Sequence, residues 1–427
     1  MINLKINVSS KTLSIVLISS ILSLVFVVIY GVNFNPDSYS YLNNEYIRPP
    51  AYPLIIDLLE IFFGKYNLKI LAFVQIFFWL IISIYFSQTL CELFSIHRNY
   101  QFLFLLILIL PLNPQQQYGN SILTESFSYV CCILVFLNTY NFYALNRKKY
   151  LFYLFLTLFF ALTLRHQMVF LNFALFAVGL IILIVKEYKK AFLLFMISVL
   201  SFIFASLINK SYSMKNFDNF EENKRIGLQL IVLPLFNLEE STLLKINANE
   251  RKAIIEMKNL LKTIDPYSNK ENLNKIKPSK IINHYADSYN SIISYSILPV
   301  VEKYYPNITN KQRDDRLIEL SLLILTASIK NEPLKTIKIY FSNIIQLGFF
   351  GPLWFLICLF ISFFSLINFY QKKTSINFLI LFLCLGQFIN ILLVSIFEPV
   401  LFRYSFYTNL SLCCLIMAIS IKGLKIK

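Results

Sequence analysis

Long apolar runs separated by short charged connectors dominate this chain. Leu13–Tyr30, Leu68–Leu90, Phe102–Leu112, Ile122–Phe142, Tyr150–Leu164, Met168–Val185, Ala191–Ile208, Phe349–Phe369, Ile376–Ile396 and Thr408–Ile421 each read as a membrane span. Crossing about 30 Å of hydrocarbon takes about 20 apolar residues. Several runs are shorter, Phe102–Leu112 above all, and that one borrows residues from its flanks. The pattern predicts an all-α polytopic membrane protein with about ten transmembrane helices. Leu13–Tyr30 is long for the core of a signal peptide and lacks a small-residue cleavage site, so it is expected to remain as the first helix.

Two stretches depart from the pattern. Asn209–Ser342 is polar on average and separates a membrane module (residues 1–208) from C-terminal membrane helices (343–427). Within it, Asn209–Lys224 and Asn247–Lys280 are rich in Asn, Lys and Glu, Leu230–Phe236 is an apolar island, and Leu317–Ile329 is an apolar run of amphipathic character. A small, mostly helical lobe is expected there. The second departure is the first connector, residues 31–67, where Pro36–Pro53 packs Asp37, Glu45 and Arg48 among prolines and tyrosines. Ala51–Phe63 follows. It is too short to span, and Asp57 and Glu60 share one helical face opposite Leu54, Ile55, Leu58, Leu59 and Phe62. This predicts an amphipathic helix lying in the membrane interface, opened by Pro49, Pro50 and Pro53 where a helix tolerates proline. A frayed start to the next span is the alternative.

Composition agrees with the class. Of 427 residues, 57% are hydrophobic and 15% charged, which is too few charges for a soluble domain of this size. The net charge of +16 invites a nucleic-acid partner, but its distribution argues for topology instead. Of the 39 Lys+Arg and 23 Asp+Glu, 20 and 15 fall in Asn209–Ser342, leaving 19 and 8 for the membrane part. With ten spans, one set of connectors holds Lys5, Lys11, Arg98, Arg147, Lys148, Lys149, Lys186, Lys189, Lys190, Lys372, Lys373, Lys422, Lys425 and Lys427 against only Glu92 and Glu187. Excess Lys and Arg marks the cytoplasmic side, so both termini are expected in the cytoplasm, and anionic lipid headgroups become partners of the basic set. The opposite side then carries Arg48, Lys65, Lys69, Arg165 and Arg403 with Asp37, Glu45, Asp57, Glu60, Glu125 and Glu398.

That mixed set, drawn from several connectors, is the candidate site. Glu125, after Thr124 at a helix start, serves equally well as a capping group. The cysteines lie in or beside spans, and His97, His166 and His284 have no zinc spacing. With only 9 Gly and no GxxxxGK[ST] or GxGxxG, no nucleotide-binding domain is expected on the basic side. No nucleic-acid partner is expected.

PDSYSYL (Pro36–Leu42) followed by RPPAYPLIIDLL (Arg48–Leu59) resembles the first outer loop of the GT-C glycosyltransferases, closest to the polyprenyl-phosphate-sugar-dependent branch that includes protein mannosyltransferases and aminoarabinose transferases. Asp37 matches the acidic position and Arg48–Pro53 the second motif. LTES (Leu123–Ser126) is similar to an acidic helix start later in the family. LRHQ (Leu164–Gln167) is similar to a basic outer end, and EPVLFRY (Glu398–Tyr404) to a late Arg-Tyr loop. Many members carry two adjacent acidic residues in the first loop. Here Ser38 follows Asp37, with Glu45 the compensating candidate.

The resemblance implies a membrane glycosyltransferase that takes a sugar from a polyprenyl-phosphate donor and passes it to an envelope glycan, lipid or protein acceptor outside the cytoplasmic membrane. It implies Asp37 as general base, with Glu45 and Glu125 as further catalytic candidates. Arg48, Tyr52, Arg165, His166, Arg403 and Tyr404 become candidates for binding substrate and its phosphate. Tyr39, Tyr41 and Tyr46 could stack on sugar rings or sit in an interfacial belt. It leaves open a divalent metal. A polysaccharide polymerase or ligase using a polyprenyl diphosphate is the neighbouring reading. A transporter is less well matched, since transporters place charges near the bilayer midplane.

Overall fold

The computed structural model describes residues 10–45, 48–112, 118–217, 220, 226–238, 242, 248–264, 278–346, 351–398 and 402–424. Tyr46, Phe349, residues 265–277 of the polar run and residues 399–401 of the late motif lie outside the described residues. Among those described, the chain is all-helical, and eight helical stretches are long and apolar enough to cross a membrane. It is an α-helical multi-pass membrane protein.

The helices are α1 Ser10–Tyr30, α2 Pro36–Leu42, α3 Ala51–Phe63, α4 Asn67–Leu93, α5 Gln101–Ile109, α6 Glu125–Leu145, α7 Lys148–Leu164, α8 Val169–Ile184 and α9 Tyr188–Phe217. They continue as α10 Ile226–Asn237, α11 Ala248–Ile264, α12 Pro278–Ile292, α13 Leu298–Tyr304, α14 Asn310–Asn331, α15 Pro333–Gln346, α16 Pro352–Lys372, α17 Ser375–Phe397 and α18 Phe406–Leu424. The eight long stretches contain α1, α3 with α4, α6, α8, α9, α16, α17 and α18. The runs expected at Phe102–Leu112 and Tyr150–Leu164 form the shorter α5 and α7.

The chain divides into two compact units: Met1–Glu222 with Ile357–Asn390 and Phe406–Lys427, and Asn223–Leu356 with Ile391–Ser405. In the first unit α6 is the central helix, and its apolar side chains are buried almost all round. The C-terminal helices, expected to form a module of their own, pack into this unit. Gly386 of α17 admits the Phe136 ring of α6 so closely that a Cβ there would lie 2.7 Å from it. Phe406 of α18 stacks parallel on Trp79 of α4, centroids 5.6 Å apart, and Trp79 stacks in turn on Tyr129 of α6 at 4.2 Å.

α6 and α7 run antiparallel, because Arg165, just past the end of α7, pairs with Glu125 at the start of α6. The opposite end of this bundle holds a second polar group. Tyr143 donates to Glu187, which also pairs with Lys190 at 2.8 Å, and Lys373 donates to the Val185 carbonyl. Burial pushes the Glu187 carboxyl up, but Lys190 and Tyr143 outweigh it and hold the group below its ordinary pKa.

The second unit is a helical body with its own core. The apolar island lies on α10 and the amphipathic run on α14, and they supply each other's interior: Ile231, Val232, Leu235 and Phe236 share one cluster with Leu317, Leu320 and Ile324. Gly227 makes this approach possible, since a Cβ there would lie 2.2 Å from the Asp314 carbonyl oxygen. Asp314 also accepts the Gly227 N–H at 2.9 Å, satisfying one of the amide donors that a helix start leaves without intrahelical partners.

Candidate functional site

The first connector carries the two helices α2 and α3. Pro36 starts α2, where its fixed φ suits a first helical position, and Asn44, at φ 48°, turns the chain away from it. Residues 37, 40 and 41 share a face of this seven-residue helix of about two turns. A parallel bridge between Asn33 and Ser121 anchors its approach, with Asn33 N–H donating to the Asn120 carbonyl and Ile122 N–H to the Asn33 carbonyl. Ser38 completes the seam. It is fully buried, its hydroxyl donates to the Ile122 carbonyl at 2.9 Å, and it accepts the Asn35 N–H at 2.9 Å. Ser38 is therefore a structural pin between this connector and Ile122.

Asp37 and Arg48 form an ion pair at 2.7 Å, the carboxylate 37% exposed and the guanidinium 19%. Arg48 is held on all three nitrogens: Nη2 by Asp37, Nε by the Ser40 hydroxyl at 2.6 Å and Nη1 by the Tyr41 hydroxyl at 3.3 Å. Its carbon also sits 4.4 Å from the Tyr41 ring centroid, a cation–π geometry. Burial, the largest influence, lowers the Arg48 pKa. Tyr41 and Asp37 overcome it and raise the net value, against the opposing charge of Arg165.

Tyr41 is the bridge to a second pair. Its hydroxyl lies 3.4 Å from the Thr124 hydroxyl, which also receives Arg165 Nη1 at 3.4 Å. The same Arg165 nitrogen is 2.9 Å from Glu125 Oε1. Arg165 is extended, at φ −157°, where α7 stops and the chain turns toward α8. Glu125 is 2% exposed, and its second oxygen, Oε2, is buried with no hydrogen-bond partner. Glu125 thus spends its bonded oxygen on a neighbouring helix, with its charge at the positive end of α6. Asp37, Arg48, Tyr41, Thr124, Arg165 and Glu125 form one continuous polar chain.

The other expected residues fall out as follows. Tyr52 is fully buried and its hydroxyl donates to Gln75 at 2.8 Å. Gln75 in turn donates to the Gly119 and Ser121 carbonyls. Tyr52 also packs edge-on against Tyr41, ring centroids 5.1 Å apart, so it braces the Tyr41 ring from the interior. Glu45 is exposed, and its carbonyl accepts the Arg48 N–H. His166 is exposed at the start of the turn after Arg165. Gln167 donates to Asn390 of α17, which donates to Thr408 of α18. Arg403 and Tyr404 belong to the second unit, where Arg403 donates to the Tyr404 hydroxyl at 2.7 Å and lies 4.8 Å from its ring. Glu398 of the same unit accepts from Gln229 at 2.6 Å.

The donor set does not fit a divalent cation. The carboxylates of Asp37 and Glu125 each face a guanidinium, and no group of three or more His, Cys, Asp or Glu side chains suited to a metal occurs among the described residues.

Comparison of the chain with protein-family models, with curated proteins and with solved structures finds no match. The residues themselves must therefore carry the functional reading. Ser40, Thr124 and Gln75 were not among the expected site residues. Thr124 carried only a helix-start signal, and Ser40 lies three residues after Asp37 on what proves to be a helix.

Proposed function

We propose that this protein is an integral membrane glycosyltransferase that moves a sugar from a polyprenyl-phosphate donor to an acceptor hydroxyl at the outer face of the cytoplasmic membrane. The observation that carries the proposal is the linked pair of ion pairs at one end of the helical bundle, with the Asp37 carboxylate open to its surroundings. The basic connectors of the sequence set the opposite end in the cytoplasm. In this reading α5 and α7 cross with the eight longer stretches, giving ten spans and cytoplasmic termini. The exposed apolar face of α3, with Leu54, Leu58, Ile61 and Phe62, then rests in the lipid interface beside the site.

The chemistry follows from the contacts. The acceptor oxygen attacks the anomeric carbon and its proton passes to Asp37. The bond from that carbon to the phosphate oxygen breaks, its electron pair leaves with the phosphate, and the sugar is inverted. Neutralising Asp37 removes the anionic partner of Arg48. The guanidinium stays in place because Ser40, the Tyr41 hydroxyl and the Tyr41 ring hold it independently of Asp37. Its charge thus becomes available to the phosphate as that group gains negative charge, and a fixed cation costs no reorganisation at that moment. A guanidinium suits the task because it offers parallel donors and never deprotonates. Arg165 adds a second cation on the same hydrogen-bonded chain.

The test is genetic and chemical. Mass spectrometry of envelope glycans, glycolipids and glycoproteins from a deletion strain is expected to show the loss of one sugar substituent. The unaltered chain should restore it, and Asp37→Asn should not. An unchanged envelope in the deletion strain would overturn the proposal.

A further inference from the structure

α15 carries an apolar face that the second unit does not use. One side of the helix, with Thr336, Ile339, Ser342 and Asn343, is buried in that unit, and Asn343 donates to the Ser395 carbonyl at 2.8 Å. The helix is therefore firmly seated. The opposite side presents Leu334, Ile337 and Phe341, which are 83%, 63% and 53% exposed. Their spacing of three and four residues makes them one stripe. Exposed apolar stripes of this kind mark an interaction surface rather than ordinary protein surface.

The stripe does not end with its helix. The Phe341 ring meets Phe355 of α16 edge-on, centroids 6.3 Å apart, and the first turns of α16 leave Leu353 and Leu356 about equally open, at 62% and 61%. α16 is one of the eight stretches fit to cross a bilayer. The exposed surface of α15 is thus continuous with the surface of a membrane-crossing helix. The only charged residues of α15 are Lys335 and Lys338. Lys338 is exposed at the edge of the stripe, while Lys335 pairs with Glu332. Exposed apolar side chains along one face of a seated helix, with Lys338 at their edge, are the arrangement of a helix lying in a bilayer interface.

We infer that α15 is a membrane-surface helix whose Leu334–Ile337–Phe341 stripe is buried in the lipid interface, anchoring the second unit to the bilayer beside the entry of α16. The inference concerns the partner of this face and does not depend on the reaction proposed above.

The full chain, reconstituted in liposomes of phosphatidylcholine with phosphatidylglycerol, tests it. Nitroxide labels are placed by Leu334→Cys, Ile337→Cys or Phe341→Cys, and by Asp315→Cys on the exposed part of α14 as a reference. The native cysteines among the described residues are buried apart from half-buried Cys413, so the unsubstituted chain supplies the labelling background. Collisions with dissolved oxygen should exceed those with a water-soluble nickel chelate several-fold at the three stripe positions, and the order should reverse at position 315. Greater access to nickel at the stripe positions would overturn the inference. So would poor access to both reagents, the signature of a second copy or another protein covering the face.

Discussion

Arg165 Nη1 lies 2.9 Å from Glu125 Oε1, the guanidinium 15% and the carboxylate 3% exposed. This contact ties the end of α7 to the start of α6 and puts a buried charge pair at the centre of the site. Removing one partner of a buried pair leaves an uncompensated charge and typically costs about 3–5 kcal/mol. Arg165→Ala should therefore lower stability by that order in detergent or lipid. The double change Arg165→Met with Glu125→Leu should recover most of the loss, since apolar replacements of similar size remove both charges together. Chemical or thermal unfolding of the purified protein reads both. If the double variant is as unstable as the single one, the pair is not the source of the effect.

Asp37 stands differently, because a third of its side chain is open and its pair with Arg48 is worth little once solvent screening is counted. Asp37→Asn is expected to fold, insert and unfold like the unaltered chain, with a stability change below about 1 kcal/mol. Sugar transfer should nevertheless be lost, since an amide cannot accept the proton. The decisive comparison is activity per molecule of correctly inserted protein. Retained transfer removes Asp37 from the role of base.

Tyr41 separates positioning from chemistry. Tyr41→Phe keeps the ring beneath Arg48 but deletes the hydroxyl that joins Arg48 to Thr124. Lost hydrogen bonds of this kind cost about 0.5–1.5 kcal/mol each, so kcat should fall roughly tenfold while KM for the lipid donor changes little. If KM rises instead and kcat holds, Arg48 serves donor binding in the ground state rather than the departing phosphate.

How far the sequence led can be judged from particular residues. The helical, membrane-crossing character of the chain was legible because it rests on local composition, and charge alone grouped Asp37, Arg48, Glu125 and Arg165, which form two ion pairs. The helix α2 was not, because seven residues give no periodicity and the start signal, Asn35 before Pro36, was set among loop-forming residues. The seam formed by Ser38 and Ile122 was invisible because its partners are 84 positions apart. Tyr52 stood by its motif among the binding candidates, and its burial and hydrogen bond to Gln75, 23 positions away, could not be read locally. The apolar island and the amphipathic run were seen singly. That they form one core depends on Gly227, whose missing side chain matters only once the two helices meet.

Ser38 offers a sharp test of the seam. A carboxylate at this position would match the paired acidic residues common in the family the loop resembles. Here it would be fully buried against the Ile122 carbonyl, with the donor of that hydrogen bond gone. Leaving a buried polar group unsatisfied costs about 1–3 kcal/mol, and more when it is charged. Ser38→Asp should therefore destabilise the protein and reduce transfer, whereas Ser38→Thr keeps the hydroxyl and should cost less. Unfolding midpoints for the two variants, compared with transfer activity, give the answer. Gain of activity in Ser38→Asp at undiminished stability would mean that the position belongs to the catalytic set and not to the seam.

Asp314 in the second unit makes a prediction about pH. Burial is the largest influence on its carboxyl and raises it above the ordinary 3.8, although the amides of Gly227 and Leu228 pull the other way. The folded state then holds the proton more tightly than the unfolded state. The stabilising contribution from this group is complete below pH 3.8 and is lost as pH rises through its higher folded value. Asp314→Asn should flatten that part of the stability curve, and unfolding of the full chain followed across the acid range measures it. Gly227→Ala, which forces a Cβ against the Asp314 carbonyl, should destabilise the same unit by about 1–3 kcal/mol at every pH, as overpacking does. A pH-dependent loss in Gly227→Ala would show instead that the glycine acts through the Asp314 carboxyl.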